Sequence, residues 1–350
     1  MHKHLLTCLF IAQLTTTAYA GSANLELSGI SALASNQTQT AQGGKQIGFG
    51  YASQSGSLAY EDNSTGTSSA SSAMFEYNQP MEKNLLVLGY SSGNSKQQFD
   101  QSGSIIAGGT TYQVTQSWEF SGPNNQIAGF YQVNLSEQNY LDLGLALVNE
   151  TTEVTVQQDI TDPSGTNVSS GTFVGSAANS YTSVSIKYSG SLKDDLRIAA
   201  SLSPAVASSQ AYSGDFTGNT SKAGHGQLVV IGVGFQGKDK TLGLDYKQRD
   251  KSESASSNGY TTLQLDGQYR ISGAAILEGM ASQSSYTAYS SGGQDIQVTQ
   301  YRFGGYYALT GAVLGFFLDN GSASYSGTSA GDGISSEQLT TLSLVASKSF

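Results

Sequence analysis

Cysteine is nearly absent, with Cys8 the single example in 350 residues. Proline is scarce, at four residues, and only 12% of the chain is charged. Average soluble domains carry about twice that charged fraction. A chain bound for an oxidising compartment without paired cysteines gets no covalent help, so backbone pairing must hold it together. Beyond the first twenty residues the chain has one histidine, His225, and no cysteine, so a His-based metal cluster cannot be built. A net charge of −10 and a pI of about 4.7 lack the basic footprint of a nucleic-acid binder. No uninterrupted apolar stretch reaches the ~18 residues that a membrane-crossing helix needs.

The first twenty residues, MHKHLLTCLFIAQLTTTAYA, stand apart from the rest. Lys3 precedes an apolar stretch from Leu5 to Leu14, and Ala18-Tyr19-Ala20 has the small-x-small form of an export cleavage site. Residues 1–20 are therefore expected to be a signal peptide, and 21–350 a single domain. Removing the leader takes away the only cysteine and two of the three histidines, and moves the net charge to −11.

What is abundant is glycine (42), tyrosine (20) and a two-residue hydrophobic period. In TTLQLDGQYRIS, Leu263, Leu265, Tyr269 and Ile271 share one face while Gln264, Asp266, Gln268 and Arg270 share the other. YLDLGLALVNE repeats the pattern with Leu141 to Leu147, and TLGLDYKQR with Leu242, Leu244 and Tyr246. Between such segments, tight polar turns (80–83, 136–139, 191–195, 237–240, 272–273, 310–311) alternate with long Ser/Gly/Thr/Asn-rich stretches (92–125, 155–178, 208–225, 325–336). Short and long connections in alternation are the mark of a transmembrane barrel with periplasmic turns and outside loops.

The expected fold class is thus all-β: a transmembrane antiparallel up-and-down β-barrel of about 16 strands. That number includes an N-terminal pair near 24–34 and 45–54 and a strand near 57–62; whether 57–62 is a strand or part of a loop separates 16 from the alternative of 14. The last strand, TTLSLVASKSF, ends in Phe350 with Leu342, Leu344 and Ala346 on its face. A terminal aromatic on an amphipathic strand resembles the assembly signal of Gram-negative outer-membrane proteins. Lys348 departs from the apolar residue usual there.

Chain length, export, strand count and Phe350 together resemble the general porins of Gram-negative outer membranes. That resemblance implies a water-filled channel for passive diffusion of ions and small hydrophilic solutes, without cofactor. It implies outer-membrane lipid, lipopolysaccharide and the barrel assembly machinery as partners, and a homotrimer as the assembly to test. Pore-lining candidates on inward positions are Lys187, Arg197, Asp245, Lys247, Arg249, Asp266, Arg270 and Arg302. Segment 92–125 is the candidate constriction loop, with Asp100 and Glu119 as its acids. Opposed charges there would set up a transverse field; inward Asp and Arg on adjacent strands would equally well pair within the wall. Trp118 is open between a girdle position and a loop anchor.

The competing function is a structural or adhesive barrel with a plugged lumen. An enzyme is disfavoured, since His225 beside Gly224 and Gly226 reads as a solvated loop histidine. Asp159 and Asp162 read as turn residues rather than cation ligands.

Overall fold

The computed structural model describes residues 45–349, apart from 61–64, 82–83, 108, 137–138, 194, 210, 216, 218–221, 253–257, 289–294, 311 and 327–333. The segment 1–20 expected to be a signal peptide, the strand expected near 24–34 and the terminal Phe350 lie outside the described residues.

Two-residue alternation becomes strand wherever it occurs. The first half carries β1 (Gln46–Tyr60), β2 (Thr65–Met81), β3 (Asn84–Ala107), β4 (Thr110–Ser136), β5 (Asn139–Thr161), β6 (Asn167–Ser191) and β7 (Leu196–Ser203). Three short pieces follow: β8 (Val206–Ser209), β9 (Ala211–Gly214) and β10 (Lys222–His225). The second half carries β11 (Leu228–Gln236), β12 (Lys240–Arg249), β13 (Gly259–Arg270), β14 (Ala275–Thr287), β15 (Asp295–Leu309), β16 (Ala312–Ser326) and β17 (Ile334–Ser349).

Each long strand pairs antiparallel with its neighbours in sequence, and β1 with β17 closes the circle. Leaving aside β8 to β10, the wall has 14 strands. The count of 16 fails at one visible place: residues 46–54 and 57–60 are not parts of two strands but of the single β1, in unbroken register with β2 from Gln46↔Asn78 to Ala59↔Thr65. All six short turns join paired strands, as the pairs Met81↔Asn84, Ser136↔Asn139, Gln236↔Thr241, Arg270↔Ile276 and Leu309↔Ala312 illustrate.

The apolar faces point outward. Leu143, Leu145 and Leu147, Ile231 and Val233, Leu263 and Leu265, and Leu314, Phe316 and Leu318 are all exposed. Their alternates Asp142, Ala146, Val230, Gln264, Asp266, Phe317 and Asp319 are buried inside the ring. A greasy exterior belt around a buried interior is the inverse of a soluble sandwich, and fits a wall standing in lipid.

Two stretches expected as loops are strand. Residues 92–125 fall within β3 and β4, paired from Leu85↔Gln132 to Ala107↔Thr110. Residues 155–161 and 167–178 fall within β5 and β6, leaving only 162–166 as the turn between them. Their Ser, Thr and Gln side chains hide the period from a hydropathy reading, because above the lipid belt the outward face is also polar. β4 has 27 residues, about 85 Å of extended chain, whereas crossing a bilayer takes only ~10 residues. One side of the barrel therefore stands far above the other, where β11 has nine residues.

Candidate functional site: the barrel interior

Moving inward from the wall, the interior divides into two layers. The upper layer lies inside the tall hairpins, at the end away from the short turns. Leu58, Trp118, Phe120, Val154, Val156 and Ala177 form one buried apolar cluster there, with Tyr212 and Tyr325 packed against it. Trp118 and Phe120 sit two residues apart on β4, so both project to the same side, and their rings stack nearly parallel at 6.0 Å. Across the ladder Trp118 faces Val156 and Phe120 faces Val154. Tyr325 is anchored by its hydroxyl, which donates to Glu337 at 3.0 Å, so its ring edge remains with the apolar group. At Gly56 an added Cβ would meet Ser68 Oγ at 2.4 Å and Leu339 at 2.5 Å; glycine there lets the β2 and β17 side chains close in beside Leu58.

The lower layer, level with the greasy belt, is charged. Asp142 and Lys187 are cross-strand partners, both buried, and Gln132 donates to Asp142 at 2.9 Å. Arg302 makes an ion pair with Asp319 at 2.7 Å and lies over the Phe317 ring. Gln268 donates to Glu278 at 2.8 Å, and Lys247 to Gln264 at 3.1 Å. Asp245 is fully buried and Asp266 nearly so. Asp142, Glu278 and Asp319 each accept a side-chain hydrogen bond, which offsets part of the cost of burying them.

The sequence candidates distribute as follows. Lys187, Asp245, Lys247, Asp266 and Arg302 come together in the lower layer. Arg197, closer to the short turns, donates its Nε to Gln236 at 2.9 Å. Arg249 lies at the opposite end of β12 over the Tyr260 ring, 5.1 Å away. Arg270 is exposed at the short-turn rim, beyond the buried layer. Asp100 and Glu119 do not join the others. On β3 and β4 they occupy outward-pointing alternates, opposite in phase to buried Gln97, Trp118 and Phe120, and Glu119 bonds Lys96 at 2.9 Å on an exposed face.

Sequence reading did not single out Asp319, Glu278 or the residues of the apolar cluster other than Trp118. Asp319 was within reach, since it keeps step with Gly315 and Phe317 opposite the outward Leu314, Phe316 and Leu318. Val154 and Val156 are harder: only counting through unbroken strand from Leu147 shows that they switch to the inward face.

His225 corrects another expectation. It is a buried strand residue of β10, with Nε2 3.0 Å from Ser183 Oγ and Nδ1 2.8 Å from the Gly226 carbonyl. The carbonyl can only accept, so Nδ1 carries a proton and donates to it. Asp162 behaves as a turn residue: its Oδ1 accepts from Ser164 N, Ser164 Oγ and Thr166 N.

His225 spans an irregularity in the wall. β6 pairs with β7 up to Ile186↔Leu202 and with β9 from Ala178↔Ala211. Eight steps of β6 thus face nine steps of the neighbouring chain, and among the described residues no ladder pair joins them in between. Pro204 follows directly on β7 and cannot donate to a ladder. On the other side, β7–β11 and β8–β10 share one register, Ser203↔Leu228 and Val206↔His225, broken only at 204–205 and 226–227.

No family model and no curated protein matches this chain. Solved structures do. The CymD monoaromatic hydrocarbon channel aligns over 88% of both chains at 12% identity, TM-score 0.52. The toluene transporter TbuX of Ralstonia pickettii aligns over 88% of this chain and 90% of its own at 10% identity, TM-score 0.55. A FadL homologue of Pseudomonas aeruginosa aligns over 87% and 90% at 10% identity, TM-score 0.50. The fold is therefore that of a closed 14-strand outer-membrane β-barrel of this type. The general-porin resemblance read from length and strand count is corrected to that extent.

Proposed function

We propose that the protein is a non-enzymatic outer-membrane channel for small apolar molecules, with aromatic hydrocarbons as the first class to test. The observation that carries this is the buried apolar cluster of Leu58, Trp118, Phe120, Val154, Val156 and Ala177 on the inner face of the tall hairpins, which we take as the entry vestibule. An inward apolar patch above the membrane has no lipid to meet, and burying an aromatic solute there removes its surface from water at about 25 cal/mol per Å². The neighbours' names, monoaromatic hydrocarbon channel and toluene transporter, support the same class.

The charged lower layer makes the axial route unfavourable for such a solute, which would have to separate hydrogen-bonded charges to pass. The interruption between β6 and β7–β9, where the two edges share no ladder pair among the described residues, is the route of least cost. Passive diffusion of hydrophilic solutes receives less support, because the belt-level charges are buried and paired rather than arrayed along an open bore. The tall polar hairpins favour a second reading, an adhesive surface barrel.

Trp118 is the chain's single tryptophan and sits in the vestibule, so it reports directly. Titrating toluene into the refolded protein is expected to change Trp118 fluorescence saturably, and Val156→Ser to weaken that response several-fold. A response that only rises linearly with toluene, as for simple partitioning, overturns the proposal in favour of the surface-barrel reading.

A further inference from the structure

The lipid-facing wall is not evenly convex. Where β14, β15, β16, β17 and β1 meet near the short-turn end, it holds an apolar groove of about 550 Å³. Its floor is made where side chains are small, at Gly305 and Ala346, and its sides are Phe49, Tyr51, Tyr307 and Phe316. The register explains the hollow. Phe316 stands opposite Gly305 on one side and Leu344 on the other; Ala346 stands opposite Phe49 and Leu314. Gly305 cannot be filled in, since a Cβ there would lie 2.4 Å from the Ile276 carbonyl oxygen.

Just beyond the groove, towards the short turns, the outward face turns cationic. Lys348 follows Ala346 in the same phase and pairs with Ile47, and exposed Lys45 stands two residues before Ile47. An aromatic-walled apolar trough ending in two lysines matches one kind of molecule: an acyl chain joined to a phosphate. The short turns mark the periplasmic side, and the inner leaflet there is built of glycerophospholipid. We propose that this groove is a binding site for one phospholipid of the periplasmic leaflet, an acyl chain lying between Phe49, Tyr51, Tyr307 and Phe316 and the phosphate held by Lys45 and Lys348. This site is on the opposite surface of the wall from the vestibule and does not depend on what the channel carries. Its volume lies in the ~300–1,000 Å³ range of ligand pockets. A lysine near a membrane surface strengthens attraction to anionic lipid by about fivefold.

The test reconstitutes the full mature chain with spin-labelled phosphatidylglycerol or phosphatidylcholine and reads the motionally restricted component. Expected are a slowly exchanging population of about one lipid per barrel, well above bulk annular contact, and a preference for phosphatidylglycerol. Ala346→Phe should abolish the slow population, and Lys45→Gln with Lys348→Gln should remove the preference while leaving restricted chains. A wild-type barrel showing only fast, headgroup-indifferent exchange overturns the proposal, and needs no variant to fold. Heat-modifiable migration certifies each variant as a barrel; a folded Ala346→Phe that keeps the slow population also overturns it.

Discussion

Arg302 shows what a charge inside this barrel requires. Its Nε donates to Asp319 Oδ1 at 2.7 Å and its plane rests on Phe317, while about 29% of the side chain stays accessible. Asp319→Ala leaves that guanidinium without its carboxylate. A fully buried pair broken in this way costs ~3–5 kcal/mol; the partial exposure of Arg302 brings the expected loss to about 2 kcal/mol. Urea unfolding in detergent should show it, and Asp319→Leu combined with Arg302→Met should recover most of it. If the single and double variants are equally destabilised, the pair is not the cause. At the β5–β6 tip the opposite regime holds. Hydrogen bonds from the Ser164 hydroxyl, then the Thr166 and Ser164 amides, hold the fully exposed Asp162 carboxyl below its usual range. A lowered folded pKa stabilises above the unfolded value, near 4, and that contribution is lost as pH falls through the folded one. Amide exchange at Ser164 to Thr166 should therefore accelerate below about pH 4, and Asp162→Ala should make it fast and flat with pH. Among single residues, Lys187, Asp245 and Asp266 were legible because each sits on the polar phase of a clean apolar alternation. Asp100 and Glu119 were placed on the wrong side of the wall by the assumption of a loop, for which the two-residue phase carries no information.

At the scale of elements, hydropathy period and the tight turns together located the strands of the belt among the described residues but lost their continuation above it. There the outward positions of β3 to β6 are Ser, Thr and Gln, so alternation no longer contrasts apolar with polar. Pro204, by contrast, marked its irregularity in the sequence: a proline on an otherwise regular strand predicts an end or a bulge, and β7 does end at Ser203. The resulting one-residue mismatch between β6 and the chain from β7 to β9 is bridged on the inside by His225 and Ser183. If apolar solutes leave the vestibule there, a bulky side chain in the gap should obstruct them. Ser185, on the inward phase of β6, suits this. Ser185→Phe is expected to lower vesicle uptake of toluene several-fold while the midpoint of the Trp118 fluorescence response stays put. Equal losses in binding and uptake would mean that the substitution disturbs the vestibule instead, and no loss would remove this route.

The whole molecule is a barrel of uneven height: a low rim where β11 and β12 have nine and ten residues, and a tall wall where β3 to β6 have 23 to 27. Closure requires only the lower part, since the belt residues of β3 and β4 pair from Leu85↔Gln132 through Tyr90↔Ile127. Replacing residues 96–121 by a two-residue turn should then leave a heat-modifiable barrel, because the greasy belt and the β1–β17 seam are untouched. It removes Trp118 and Phe120, and with them the vestibule. The truncated barrel is expected to fold, to lose saturable hydrocarbon uptake, and to show the same ionic conductance in planar bilayers as the full chain. For both, that conductance should fall well short of the nanosiemens steps of a wide aqueous pore, because Asp142, Lys187, Asp245 and Asp319 are buried within the belt. Nanosiemens steps in the full chain would restore hydrophilic diffusion as the main activity. Steps appearing only after truncation would instead assign the tall wall to closing an otherwise open bore, and the interior charges would then be its lining.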